Sequence, residues 1–224
     1  MEILSLIKFG QKEHLEEMLN NGTIYCNPIE YFRKLEDSEL RGDSYEGTFK
    51  ITNYPPNSKI EITLHNNLDK PIKLKTASLH LREHYSNIKG NLFCLYCLTS
   101  EDFKNINKFK IDLKNVGFGS HFLLLKDLKN ILPRITNAFD NCEFEYVKGL
   151  VQYYDRRTKN GNVTPFEKPL EYAYQKEFRF FVNSGMQKPI KLHIGPLNDV
   201  AQIFEMSELQ EMEYIYNSDL KRTF

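Results

Sequence analysis

The order of apolar and polar positions predicts the first elements before any single residue does. Ile3–Phe9 is a short apolar run closed by Gly10, the pattern of a strand. Over Lys12–Asn20, Leu15, Met18 and Leu19 fall on one side of a helix, and Glu13, Glu16 and Glu17 on the other. Asn21-Gly22 predicts its end, because glycine enters the left-handed conformation at little cost. Thr23–Cys26 predicts a second strand. Asn27-Pro28 predicts a short helix through Ile29, Phe32 and Leu35, with proline in the first turn. The polar segment Arg41–Gly47 reads as a loop.

Farther on the period shortens. Lys59–Leu64 alternates, Asn66–Asp69 reads as a turn, and Ile72–Leu79 as the returning strand of a hairpin. Leu79–Tyr85 fits neither period. Asn91–Leu98 is an almost unbroken apolar run of strand length, as expected for a strand covered on both faces. Glu101–Asn107 and Asp127–Phe139 predict helices, the second carrying Leu128, Ile131, Leu132 and Ile135 inward. Val116–Leu125 predicts a strand broken by Gly117 and Gly119. Val147–Tyr154, Tyr172–Val182 and Ile190–Ile194 predict further strands, with a basic turn at Asp155–Gly161, and Val200–Glu213 predicts a last helix. No repeat, linker or low-complexity tract interrupts residues 1–224, so one α+β domain is expected.

Composition narrows the class. The chain is 41% hydrophobic and 13% aromatic, enough to bury a core. Lysines and arginines number 30, as do aspartates and glutamates, so no long-range field draws the chain to nucleic acid or anionic lipid. Any such contact rests on a local patch, for which Arg156, Arg157 and Lys159 are one candidate. Without an export signal or an apolar run of about 18 residues, a cytoplasmic protein that makes no membrane contact is expected. Cys26, Cys94, Cys97 and Cys142 are then free thiols. Cys94 and Cys97 point to opposite faces of a strand and make a poor metal pair, so no metal is expected.

The chemistry concentrates at Gln175-Lys176-Glu177. Alternation puts Gln175 and Glu177 on one face at the mouth of a strand. A carboxylate there suits stabilisation of a ribosyl oxocarbenium, with the amide orienting an acceptor. A plainer reading pairs Glu177 with Arg179 or Lys176 on an exposed surface. In the loop, Arg41 suits a pyrophosphate. Asp43 and Glu46 with Glu177 suit a divalent ion instead, the nuclease reading, although no D…(D/E)-x-Lys motif accompanies them. His80 and His84 stand four apart without a third ligand. No phosphate-binding loop, dinucleotide fingerprint or nucleophile elbow occurs, so nucleotide hydrolysis, hydride transfer and serine-hydrolase chemistry have no support.

Gln175-x-Glu177 followed by an apolar strand resembles the C-terminal motif of the ADP-ribosyltransferase toxins, in the branch that modifies asparagine or nucleobases. Lys8 on the first strand and Thr99-Ser100 after the central strand follow that family's order of motifs. The strand–helix–strand Ile3–Cys26 resembles the start of DNA-targeting members and of RNA 2′-phosphotransferases. The resemblance implies a central, mostly antiparallel, split sheet flanked by helices, with NAD as substrate. It also implies site roles: Glu177 and Gln175 catalytic, Thr99 or Ser100 bracing the site, and Lys8 contacting NAD; Arg41, for a pyrophosphate, and Tyr25, for stacking, join them as NAD-binding candidates. Lysine at position 8 departs from the family's arginine or histidine and lacks a planar fork. A second set, including Lys8-Phe-Gly10, Arg41-Gly-Asp43, Glu46-Gly47, Val151–Tyr154, Lys168-Pro169 and Gln175–Arg179, is similar to a widespread bacterial and phage domain of unknown function. It implies a bacterial or phage cytoplasmic protein, of a kind often found near mobile elements and defence genes, and gives no reaction. Two functions follow as expectations: an ADP-ribosyltransferase-like toxin or defence effector, or a non-catalytic binding or inhibitor protein acting on a macromolecular partner.

Overall fold

A computed structural model describes residues 1–34, 45–64, 67–74, 78–84 and 89–217; Arg41 and Asp43 lie outside them. The first unit is β1 (Ile3–Gly10), α1 (Lys12–Asn21), β2 (Thr23–Pro28) and α2 (Ile29–Lys34). Gly22 ends α1 with φ 63° and returns its N–H to the Met18 carbonyl at 3.0 Å. Next come β3 (Thr48–Tyr54), β4 (Ile60–Leu64), β5 (Asn67–Leu74) and β6 (Leu79–His84), then the long β7 (Asn91–Thr99). β8 (Lys108–Phe109), β9 (His121–Leu125) and α3 (Leu128–Asp140) follow. The last third holds β10 (Tyr146–Leu150), β11 (Gln152–Tyr154), β12 (Gly161–Asn162), β13 (Glu167–Pro169), β14 (Glu177–Val182), β15 (Ile190–His193), β16 (Ala201–Glu205) and β17 (Tyr214–Ile215).

One antiparallel sheet organises the molecule, in the order β10-β14-β7-β1-β9-β16. β2 pairs with the start of β7 and with β15. Its two faces are covered differently. Leu6, Phe93, Leu95 and Phe180 meet Leu15 and Met18 of α1 and Ile131, Ile135 and Phe139 of α3. Phe139 and Phe180 stack with centroids 4.4 Å apart. On the other face Ile7, Tyr96, Leu98 and Phe122 pack with Met206 and Leu209. β7 is therefore covered on both sides, which is what its unbroken apolar run requires. A smaller sheet, β12-β3-β6, and the hairpin β4–β5 lie off this path. Among the described residues no helix is long and apolar enough to cross a membrane.

Several predicted elements take another form. Val200–Glu213 is not a helix: Ala201–Glu205 pairs along β9, and only Met206–Gln210 turns, as a 3-10 segment. Pairing with an edge satisfies the backbone and decides between two weak patterns. Tyr172–Val182 is not one strand, because Leu170–Gln175 is a 3-10 turn and Lys176 is left-handed with φ 40°. Glu101–Asn107 keeps a single turn, Ser100–Phe103. Val147–Tyr154 divides into β10 and β11, which join different sheets. Asn67 already belongs to β5, and β3 and β6 are strands that the alternation left unassigned.

Candidate functional site

The central sheet opens at one place. β1 and β7 pair from Ile3–Thr99 to Ile7–Tyr96 and then part. Beyond that point β1 continues along β9 to Gly10–His121, while β7 meets β2 at Asn27–Leu92. The parting leaves strand-edge groups on both sides without a ladder partner. Lys8 answers one of them, its Nζ donating to the Cys94 carbonyl at 2.9 Å while lying 5.0 Å from the Phe93 ring centroid. A cavity of about 530 Å³ fills the opening, within the ~300–1,000 Å³ usual for small-molecule sites. β1 contributes Lys8 and Phe9, α1 contributes His14 and Glu17, β2 contributes Tyr25, and β7 contributes Phe93 and Cys94. The facing wall carries Lys168, Gln175, Glu177 and Arg179.

That wall is a buried charge network. Arg179, 1% exposed, holds Glu46 with two parallel bonds, Nη1 to Oε1 at 2.9 Å and Nη2 to Oε2 at 2.7 Å. Its Nε donates to Glu177 Oε2 at 2.6 Å, and Nη1 also reaches the Pro165 carbonyl at 2.5 Å. Lys168, 3% exposed, donates to Glu177 Oε1 and to Gln175 Oε1, each at 2.6 Å. Two carboxylates thus meet two cations, and no net charge is buried in the set. Burial alone would push the Glu177 carboxyl up; the charges of Arg179 and Lys168 outweigh it and hold the group well below the usual carboxylate range. Glu177 is an anion at any working pH. The peptide N–H of Glu177 donates to the Tyr153 hydroxyl at 3.0 Å, and burial raises that phenol, which stays neutral. Burial likewise pushes the Cys94 thiol up to about 12, so it is not a thiolate nucleophile.

Four of the predicted site residues line this one cavity: Lys8, Tyr25, Gln175 and Glu177. Tyr25 donates to both oxygens of Glu17, at 2.9 and 3.0 Å, and Lys191 covers its ring. Gln175 and Glu177 do face the same way, although through a left-handed Lys176 rather than through strand alternation. Thr99 and Ser100 do not belong to the cavity. They sit at the closed end of the β1–β7 ladder, where Thr99 caps the next turn through Asp102 and Ser100 Oγ accepts from the Glu2 N–H at 3.0 Å. Arg41 lies outside the described residues.

The plainer reading of Glu177 is half met. Arg179 is its partner, but in the interior, and Lys176 pairs with Asp102 instead. For the nuclease reading, Glu46 and Glu177 both point at the guanidinium of Arg179, so a cation of the protein already stands between them. Sequence reasoning gave Lys168 and Arg179 no catalytic or binding role. The available signal was Arg179 itself, a charge inside Phe178–Phe181, where only a buried partner makes arginine tolerable. No family model, curated protein or solved structure matches this chain.

Proposed function

We propose that the chain is an NAD-dependent ADP-ribosyltransferase-like protein of the cytoplasm, a toxin or phage-defence effector that modifies a nucleic-acid base or a protein side chain. One observation carries the reading: Lys8 and the pair Gln175/Glu177, more than 160 residues apart in sequence, line the same cavity at the parting of β1 and β7. The reaction breaks the bond between nicotinamide nitrogen and ribose carbon. The electron pair leaves with nicotinamide and cancels its ring charge. The acceptor supplies a new pair to that carbon and gives up a proton. Glu177 suits the first half of this step, since a carboxylate fixed as an anion faces the positive charge that grows on the ribose. Each of its oxygens spends one lone pair on Lys168 or Arg179 and keeps another for a ribose hydroxyl. Lys168 donates only, so it holds the Gln175 oxygen, and the amide nitrogen, which donates to the Tyr174 hydroxyl at 3.4 Å, keeps its second N–H for the acceptor. Lys8 supplies the cation for the phosphates, and Tyr25 lines the cavity beside it.

A second reading, a non-catalytic binding or inhibitor protein acting on a macromolecular partner, is favoured by a separate observation. Both oxygens of Glu177 already hold a buried cation, as they would in a purely structural network. The two readings separate in an assay of NAD binding and nicotinamide release by wild type, Glu177→Gln and Lys8→Met, with thermal melts alongside. Turnover by wild type, abolished in folded Glu177→Gln and weakened through KM in Lys8→Met, supports the enzyme. Absence of binding and release by the folded wild type moves the function to the binding protein.

A further inference from the structure

A second constellation lies away from the Glu177 cavity, where β3, β6 and the Asp155–Asn160 turn meet. Asn53 pins that turn: its side-chain Nδ2 donates to the carbonyls of Arg156 at 2.9 Å and Lys159 at 2.7 Å, and its backbone N–H donates to Asn160 Oδ1 at 2.7 Å. Asp155 Oδ1 closes the turn on the Arg157 N–H at 2.8 Å. With both Nδ2 protons engaged, Asn53 must present Oδ1 to His80 Nδ1, 2.6 Å away. Nδ1 therefore carries the imidazole proton, and Nε2 accepts from the Tyr45 hydroxyl at 3.1 Å. Burial and the charges of Arg82 and Arg156 lower the His80 pKa, which keeps the ring neutral and able to accept. Arg156 lines the same groove as Tyr45, and Arg82 lies 4.5 Å from the Tyr45 ring centroid. These bonds fix the backbone of the turn that carries Arg156 and Arg157.

Beside them lies a groove of about 790 Å³ that shares no residue with the Glu177 cavity. Arg156 and Arg157 line it, together with Tyr45, His80 and Asn53, and none of the described residues that line it is a carboxylate. Arg157 makes no side-chain hydrogen bond or ion pair among the described residues. Arg156 meets Glu171 at 3.0 Å, but both side chains are about half exposed, so the pair yields at little cost. Two guanidinium forks on one groove, one of them held by a half-exposed acid that yields at little cost, call for a ligand of more than one negative charge and several acceptor oxygens.

We propose that this groove binds a phosphate group between Arg156 and Arg157, at a site distinct from the NAD cavity and independent of it. Free phosphate, a terminal phosphate and a phosphodiester share that chemistry. The test is an NMR titration that follows the His80 imidazole and the Arg157 Nε–H, once with inorganic phosphate and once with a short single-stranded oligothymidylate. Both signals should move together and saturate. Arg157→Ala, a surface change, should weaken binding by roughly tenfold or more, the equivalent of one charged hydrogen bond, without altering the melting temperature. Tighter binding of the oligonucleotide identifies a phosphodiester source; equal or tighter binding of inorganic phosphate identifies a free or terminal phosphate. If neither probe moves the signals, or Arg157→Ala binds as wild type does, there is no such site. NAD turnover has no part in this readout, so it stands or falls apart from the proposed activity.

Discussion

Glu177 shows how far a single position depends on its surroundings. In the sequence it is one of many carboxylates; in the fold both its oxygens hold buried cations. Its folded pKa lies below the unfolded value of ~4.3, so its contribution is complete above that value and is lost as pH falls toward the folded one. Glu177→Gln strips Arg179 and Lys168 of a buried partner and is expected to cost about 3–5 kcal/mol at neutral pH. The gap between wild type and variant should narrow by up to about 1.4 kcal/mol per pH unit below ~4. Urea midpoints from pH 7 to 3 measure it, and a gap that stays constant across that range would show that Glu177 is not held as an anion. The Gln-x-Glu spacing itself was legible in the sequence. Lys168 was not, because nothing local says that a lysine beside a proline will turn inward toward a carboxylate nine residues later.

Among the elements, the opening strand–helix–strand was the easiest to read, since each piece carries its own period and its own stop. Gly22 makes the point. Besides its φ of 63°, it lies so close to Gly195 that an added Cβ would stand 1.9 Å from the Gly195 carbonyl oxygen. Its own carbonyl receives the Ile194 N–H at 2.9 Å. Gly22→Ala is therefore expected to cost about 2 kcal/mol or more, through backbone strain and displacement of the loop after β15. A chemical-denaturation curve tests this, and a loss below about 0.5 kcal/mol would mean that the contact yields freely. The helix stop was visible from sequence; the approach of residue 195 was not, because it joins segments more than 170 residues apart. The same limit produced the error at Ala201–Glu205, whose strand character comes from the edge of β9.

On the scale of the whole molecule, protection should follow the sheet. Amides of β7, flanked by β14 and β1 and covered on both faces, are expected to exchange with solvent most slowly. Among the described residues the β4–β5 hairpin pairs with no other strand and leaves Ile62 and Ile72 about half exposed, so its amides should exchange many times faster. Hydrogen–deuterium exchange resolved by segment decides this, and equal protection would mean that the hairpin is tied to the core. The sequence by itself determined an α+β chain with Asn91–Leu98 as a strand buried on both faces, because hydropathy period and turn chemistry act over a few residues at a time. It also placed Glu177 and Gln175 together. Tertiary structure alone decided where the sheet opens, that Thr99 and Ser100 close the far end of a ladder, and that Glu46, Lys168 and Arg179 gather around Glu177. The reason is physical: charges enter the interior only when distant partners neutralise them, and the register of a sheet, not its local pattern, sets which partners arrive.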